Sequence, residues 1–225
     1  MITFDRVTRK FGEHTIALDS ISLQIADGEF VFLVGTSGAG KTTLLRLITR
    51  DLLPSSGHIH VDSWDVVQLT NKQIPLLRRK VAMIFQDFKV LSDRTVYENV
   101  AIALEILGKK EKEIETSVVS TLEVVGLGGK ISVFPAQLSA GELQRVSIAR
   151  AIVGKPGILL ADEPTGNLDP KTGWDIIKLL VDINKRNTTI IMATHNMDIV
   201  NSMRRRVVSM KHGKVTRDEK IGKYQ

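Results

Sequence analysis

The chain has 225 residues, with 31 Lys and Arg against 25 Asp and Glu for a formal net charge of +6, and it contains no cysteine. That length can bury a real core in one domain, and 43% hydrophobic with 25% charged residues excludes wholesale disorder. The absence of cysteine excludes a disulfide framework, a thiolate metal site and a cysteine nucleophile, and it fits a reducing compartment.

In chain order, MITFDRVTRKFGEHT lacks the long apolar stretch of a secretory signal. Ile2–Val7 and the alternating Ile16–Ile25 read as strands, and Phe30–Val34 is continuously apolar, the pattern of a strand buried on both faces. It runs directly into Gly35-Thr-Ser-Gly-Ala-Gly-Lys-Thr42 and an expected helix at Thr43–Ile48. Ser55-Ser-Gly57 signals a turn, followed by strands at His58–Val61 and Val81–Phe85. From Asp87 to about Gly154 the pattern turns helical. Thr95-Val-Tyr-Glu98 matches a capping box ahead of Val96, Val100, Leu104 and Leu107, and Ile114, Val118, Leu122 and Val125 share a second helix face that stops at Gly126. The longest candidate run, Val100 to Leu107, carries Glu105 and is far shorter than the roughly 18–20 residues a bilayer span needs, so the chain is not expected to cross a membrane alone.

After Gly154, strands are expected at Ile158–Ala161 and Thr188–Ala193 around a helix at Gly173–Lys185, and Val207–Met210 with Val215 reads as a closing hairpin. The basic residues are scattered apart from Arg204, Arg205 and Arg206. Charge therefore leaves open nucleic acid, an anionic membrane surface, phosphorylated ligands or an ordinary solvated face. Aromatics at 5% offer no base-stacking platform. Strand–helix alternation predicts an α/β fold with a largely parallel sheet and a helical insertion.

Three motifs carry chemistry. Gly35-x-x-x-x-Gly40-Lys41-Thr42 has P-loop spacing: its glycines let backbone N–H groups and the following helix N-terminus converge on phosphate oxygens. Lys41 would supply a cation to the β and γ phosphates, and Thr42 a hydroxyl to Mg²⁺. Ile158-Leu-Leu-Ala-Asp162-Glu163 is an apolar strand ending in two acids, one suited to Mg²⁺ and the other to accepting a proton from attacking water. Leu138-Ser139-Ala140-Gly141-Glu142 opens a helix, where Ser139 and Glu142 can form a capping box and an anion is also welcome.

The ordered set of P-loop, Gln86, LSAGE, Asp162-Glu163, Asn167-Leu-Asp169 and His195 resembles an ABC-type ATPase over essentially the whole chain. The family signature is usually LSGGQ, so Ala140 and Glu142 depart from it while Ser139 and Gly141 remain. The resemblance implies one domain over 1–225: a P-loop, RecA-like core of mainly parallel sheet with an N-terminal antiparallel β-subdomain (1–86 and 155–225), and an inserted α-helical subdomain (87–154). It implies ATP held by Gly35, Thr36, Ser37, Gly38, Ala39, Gly40, Lys41, Thr42 and Thr43, and Mg²⁺ held by Thr42, Gln86 and Asp162. Glu163 would be the catalytic base, with His195, Gln86 and Lys41 contacting the γ-phosphate region. It further implies a nucleotide-sandwich homodimer in which Ser139 and Gly141 reach the other subunit's γ-phosphate and Asp169 couples the two sites. Phe11 falls where the family often stacks an aromatic on adenine, and it reads equally as core.

Ala161-Asp-Glu-Pro-Thr-Gly-Asn-Leu-Asp-Pro170 resembles the branch that contains lipoprotein-release, macrolide-export and cell-division ATPases. Gln86-Asp-Phe-Lys-Val-Leu91 with Thr95-Val-Tyr-Glu-Asn-Val100 looks most like the cell-division members. That implies an FtsX-like transmembrane partner, control of peptidoglycan hydrolases beyond the membrane, a place on the cytoplasmic face of the cell membrane, and no nucleic acid. Phe88 and Leu91 are suitable anchors for a partner helix, or they pack inside the helical insertion. An ATPase driving export or lipoprotein extraction is the alternative. A soluble chromosome-associated ATPase lacks support, since the chain has no heptad arrays and no cysteine. A P-loop kinase would leave LSAGE and His195 unexplained.

Overall fold

The computed structural model describes residues 1–12 and 14–224. Two sheets form its frame. β1 (Ile2–Phe11), β2 (Thr15–Ile25), β4 (Ser56–Val61) and β5 (Trp64–Asp65) make an antiparallel sheet in the order β2-β1-β4-β5. The other sheet has the order β10-β9-β3-β8-β7-β6, from β3 (Phe30–Val34), β6 (Val81–Ile84), β7 (Ile158–Asp162), β8 (Thr189–Thr194), β9 (Arg206–Lys211) and β10 (Lys214–Glu219). Every neighbouring pair in it is parallel except the β9–β10 hairpin. This is the expected α/β architecture with a mainly parallel core and an N-terminal antiparallel sheet.

All five residues of β3 are buried, and their alternation explains the unbroken apolar run. Phe30, Phe32 and Val34 join one core with the helices α3 (Val96–Ile106), α4 (Glu111–Val124), α5 (Ala140–Ile152) and α6 (Pro170–Asn184). Val31 and Leu33 face the other way, onto α1 (Lys41–Ile48) and the antiparallel sheet. A strand covered on both faces has no polar side to show.

Helix starts follow the capping chemistry. Thr95 and Glu98 form the expected reciprocal box, with the Glu98 amide donating to Thr95 Oγ1 at 3.2 Å and the Thr95 amide to Glu98 Oε2 at 2.8 Å. α6 begins at Pro170 rather than Gly173, because Asp169 accepts from the Thr172 amide at 3.1 Å and proline suits the first helical position. The turn expected at Ser55-Ser-Gly57 is the start of β4 instead. Gly57 has φ +86 and sits where a Cβ would lie 2.4 Å from the Arg6 carbonyl oxygen, beside an irregularity in β1. The chain there crosses a bulge. α2 (Ile74–Lys80) and α7 (Met197–Met203) were not foreseen: α2 buries only Leu77 and α7 only Ile199 and Val200, too little to make a periodic signal.

The basic cluster near the C-terminus is partly structural. Arg206 donates to both carboxylate oxygens of Glu29 (3.0 and 2.9 Å) and of Asp218 (2.8 and 2.7 Å), fixing the approach to β3 against β9 and β10. The Asp218 hydrogen bonds, and then Glu29, raise its pKa above the ordinary arginine value.

Asn99 is a buried polar residue on an otherwise apolar face of α3. Its Oδ1 accepts from the Leu91 amide at 2.7 Å, and its Nδ2 donates to the carbonyls of Leu91, Arg94 and Thr95. One amide thus closes the loop between β6 and α3. Asn99→Ala should cost about 2–3 kcal/mol by leaving loop groups without partners, to be read from urea unfolding.

Candidate active site

The site forms where β3, β7 and β8 end on the same side of the sheet. Val34 pairs with Thr194, and Asp162 with Ala193, so the P-loop, the Asp162-Glu163 pair and His195 emerge side by side. A cleft of about 760 Å³ there is lined by Thr36 to Thr43, Gln86, Asp162, Glu163 and His195, with Thr15, Ile16 and Ala17 closing one wall.

The loop is shaped by close backbone approach. A Cβ on Gly35 would lie 2.3 Å from the Met210 carbonyl oxygen, and one on Gly40 2.5 Å from that of Ala17; both have positive φ. Gly40 then starts α1 with no side-chain cap and no acidic residue in the first turn. The first amides of a helix lack intrahelical partners, so this end is left free to receive an anion. Lys41 is buried, and its Nζ donates to the carbonyls of Gly35 (2.7 Å) and Thr36 (3.1 Å), which hold the ammonium over the loop.

Thr42 Oγ1 donates to Asp162 Oδ1 at 3.1 Å. Burial pushes the Asp162 carboxyl above the usual range and neighbouring Glu163 adds to this, against the Thr42 hydrogen bond and Lys41. A hydroxyl and one partly desolvated carboxylate fit Mg²⁺, which takes few protein oxygens and leaves room for phosphate and water. With Gln86 on the same wall, Thr42 and Asp162 are the groups that would hold the ion.

Glu163 lies one residue past β7 at φ +49, a left-handed position unusual for glutamate. Its amide donates to the Ala193 carbonyl at 2.9 Å, which turns the side chain into the cleft. Oε1 lies 2.9 Å from His195 Nδ1, and the His195 amide donates to Oε2 at 3.4 Å. The carboxylate is mostly covered while the imidazole is open.

Gln86 lies two residues beyond the end of β6, exposed, and its carbonyl accepts from Asn167 Nδ2 at 3.0 Å. Thr15, Ile16 and Ala17 on the cleft wall and Asn167 behind Gln86 have no role assigned from sequence, because only the tertiary fold brings them to these places. Beyond Gln86, Phe88 (φ +58) and Lys89 (φ +50) are both left-handed, and Arg150 of α5 donates to the Phe88 carbonyl at 3.2 Å. Burial lowers the Arg150 pKa.

Besides Gly35, which lies one residue before the lining stretch, four expected residues do not line this cleft. Ser139 caps α5: the Glu142 amide donates to its Oγ at 3.4 Å, and its own amide donates to Glu142 Oε2 at 3.0 Å. Glu142 also pairs with Lys130 at 2.5 Å, and these bonds, Lys130 first, hold its carboxyl below the usual range. The glutamate in LSAGE is thus anchored within its own chain. Gly141 is buried against α6, where a Cβ would meet Thr172 Cγ2 at 2.4 Å. Asp169 caps α6, and that hydrogen bond from Thr172 lowers its carboxyl pKa. Phe11, at the end of β1, is 40% exposed under the Arg9 guanidinium at 4.6 Å, which removes the reading of Phe11 as core.

Asp162→Asn tests the cation site through stability. The raised Asp162 pKa means that the ionised carboxylate opposes folding at neutral pH, and that this cost fades as pH falls through the folded pKa toward the ordinary carboxylate range. Without nucleotide, Asp162→Asn should melt at or above the wild-type temperature at pH 7, with the gap closing in acid. With nucleotide, it should lose the further rise that Mg²⁺ gives the wild type. Thermal melts across pH, with and without Mg²⁺ and nucleotide, measure both.

A model of the ABC transporter family matches residues 18–166. The chain is 50% identical to the cell division ATP-binding protein FtsE of Mycobacterium tuberculosis over 225 residues, covering 100% of this chain and 98% of that protein. It is 48% identical to FtsE of Bacillus subtilis over 224 residues (100% and 98%) and 45% identical to FtsE of Escherichia coli K12 over 213 residues (95% and 96%). Among solved structures, it is similar to a dimeric post-hydrolysis state of the ATP-binding cassette MJ0796 bound to ADP and Pi, with a TM-score of 0.89, 33% identity and full coverage of both chains. It is also similar to cbiO1 of Clostridium perfringens, part of the ABC transporter complex cbiONQ, with a TM-score of 0.90 and 33% identity over 97% of this chain and 88% of that one. With a P-loop, a paired glutamate and histidine and this likeness along nearly its whole length, the chain belongs to the ABC transporter family as an ABC-type ATPase.

Proposed function

We propose that the chain is the ATP-binding and hydrolysing subunit of an FtsEX-like complex in cell division. The observation that carries the chemistry is Glu163, held by His195 at 2.9 Å and facing the P-loop across one cleft. The division role rests on 45–50% identity to FtsE proteins over nearly the whole chain.

The P-loop amides from Gly35 to Thr43 and Lys41 bind the phosphates, and Phe11 offers its exposed face to adenine. Mg²⁺, held by Thr42, Gln86 and Asp162, supplies positive charge at the phosphates. Glu163 accepts a proton from water as the water oxygen bonds to the γ-phosphorus and the bond to the ADP oxygen breaks. His195 keeps the carboxylate aimed and contacts the γ-phosphate. Ser139 and Gly141 of a second copy complete the phosphate site, with Asp169 at the junction, which makes the dimer two-fold and isologous. The dimeric MJ0796 cassettes support that arrangement.

The chain divides into a core (1–86 and 155–225) and a helical unit (87–154) that moves with nucleotide. Arg150 on the Phe88 carbonyl ties α5, which carries Ser139, to the segment after Gln86. Leu91 is 37% exposed while its main chain is pinned by Asn99, as suits an anchor for an FtsX-like membrane protein, and Phe88 stands beside it, half-buried. Among the described residues no helix is long and apolar enough to cross a membrane, and such a partner would hold the chain at the cytoplasmic face. Through that partner the ATP cycle would control peptidoglycan hydrolases.

Glu163→Gln should keep ATP affinity, lower single-turnover hydrolysis by roughly 10²–10⁴-fold and accumulate an ATP-bound dimer in sedimentation. Normal turnover would remove Glu163 from the base role, and a persistent monomer at saturating Mg-ATP would count against the sandwich. Copurification of the wild type with the neighbouring membrane protein tests the division assignment.

A further inference from the structure

The nucleotide cleft opens at the carboxyl ends of the core strands. At the opposite, amino ends of β7 and β8 lies a second cavity of about 590 Å³. One wall is the hydroxyl-bearing side of α4, with Thr116, Ser117, Ser120 and Thr121. The other walls are the return segment from α5 to β7 and the turn from α6 to β8, which bring Lys155 and Arg186. Val153, Pro156 and Ile183 form an apolar floor.

The charge is one-sided. Among the described residues no Asp or Glu lines the cavity and neither Lys155 nor Arg186 takes part in an ion pair, whereas nearby Lys178 and Lys185 each pair with an aspartate. The concavity continues past Thr116 and Ser117 to Lys110 and Lys112. The acid on that extension, Glu113, already pairs with Lys109 at 2.6 Å. Cations without counter-charges beside several hydroxyls in a concave surface favour an anion rich in acceptor oxygens.

The walls are fixed by hydrogen bonds to main-chain carbonyls. Asn184 Nδ2 donates to the carbonyls of Gly28 and Thr188 at 2.9 Å each, and the Thr189 amide donates to the Gly157 carbonyl at 2.9 Å. Lys155 is exposed and holds φ +53, a conformation in which glycine carries no Cβ penalty. Packing gives no reason for lysine there, whereas its charge over the cavity does.

We infer that this cavity binds a phosphate group carried on an apolar body, with Lys155 and Arg186 on the phosphate, the hydroxyls of Ser117, Ser120, Thr121 and Thr188 as further donors, and the floor under the body; the Thr116 hydroxyl already donates to the Lys112 carbonyl at 2.9 Å. The phosphate could belong to an acidic phospholipid or to a soluble phosphate ester. An occupant would bridge α4 to the near ends of β7 and β8. Nucleotide chemistry at the P-loop plays no part in it.

The test uses the full chain with its P-loop filled by saturating Mg-ADP, so that the probes do not bind there. Calorimetric titrations use dihexanoyl phosphatidylglycerol below its micelle concentration, glycerol 1-phosphate, and dihexanoyl phosphatidylcholine. Binding of the phosphatidylglycerol but not of glycerol 1-phosphate assigns the site to phospholipid, whereas comparable binding of both assigns it to soluble phosphate esters and overturns the role given to the apolar floor. In either case Lys155→Gly and Arg186→Ala should each weaken binding about tenfold. Lys155→Gly should also melt no lower than the wild type, since it removes the left-handed strain, so its loss of binding is not loss of fold. Failure of both phosphate probes to bind, equal binding of the zwitterionic phosphatidylcholine, or affinity unchanged by the two substitutions would overturn the inference.

Discussion

The register of three buried parallel strands is the constraint on which the site depends. β3, β8 and β7 pair so that Val34 lies beside Thr194 and Ala193 beside Asp162. The phosphate loop, the acid pair and the histidine leave the sheet at one level because Gly35 and His195 directly follow their strands and Asp162 is the last residue of its own. A parallel strand shifted by one residue would turn its side chains to the other face and move its terminal group by about 3.3 Å. Residue size opposes such a slip in β3, since Phe30 and Phe32 fill one core and the smaller Val31 and Leu33 the other.

Fixed strand ends still need connections that aim the chemistry. The P-loop curls because Gly35 and Gly40 lie against the carbonyls of Met210 and Ala17, where no side chain fits. Glu163 is aimed by a different device: a left-handed turn secured by its amide on Ala193, so that strained backbone places the carboxylate on His195. The two devices face each other across a few ångströms, joined by the hydrogen bond from Thr42 to Asp162.

The helical stretch is tied to this centre by polar contacts laid over an apolar core. Arg150 holds the carbonyl of left-handed Phe88, Asn99 closes the loop that follows, and Asn167 holds the carbonyl of Gln86. Hydrogen bonds of this kind have directional optima, so these contacts fix the segment after Gln86 against α5, whose first turn Ser139 caps. Beneath them α3, α4 and α5 share an apolar core with the sheet.

Much of this was legible in the residues alone. The continuous apolar run at Phe30–Val34, the glycine spacing after it, the capping boxes at Thr95 and Ser139 and the acid pair after Ile158–Ala161 are local signals, each set by one strand or one helix turn, and the structure has each where the sequence put it. The short helices α2 and α7 escaped notice because each buries only one or two residues. What only the tertiary structure decided is everything that depends on residues distant in sequence. This includes Phe11 exposed beneath Arg9, Glu142 anchored to Lys130, Asn99 and Arg150 as loop clamps, and Lys155 and Arg186 brought to one cavity without an ion pair among the described residues. Short-range spacing writes turns, caps and strand faces into the sequence. Which charge finds a counter-ion, and which is left open to a ligand, is settled when the sheets and helices close on one another.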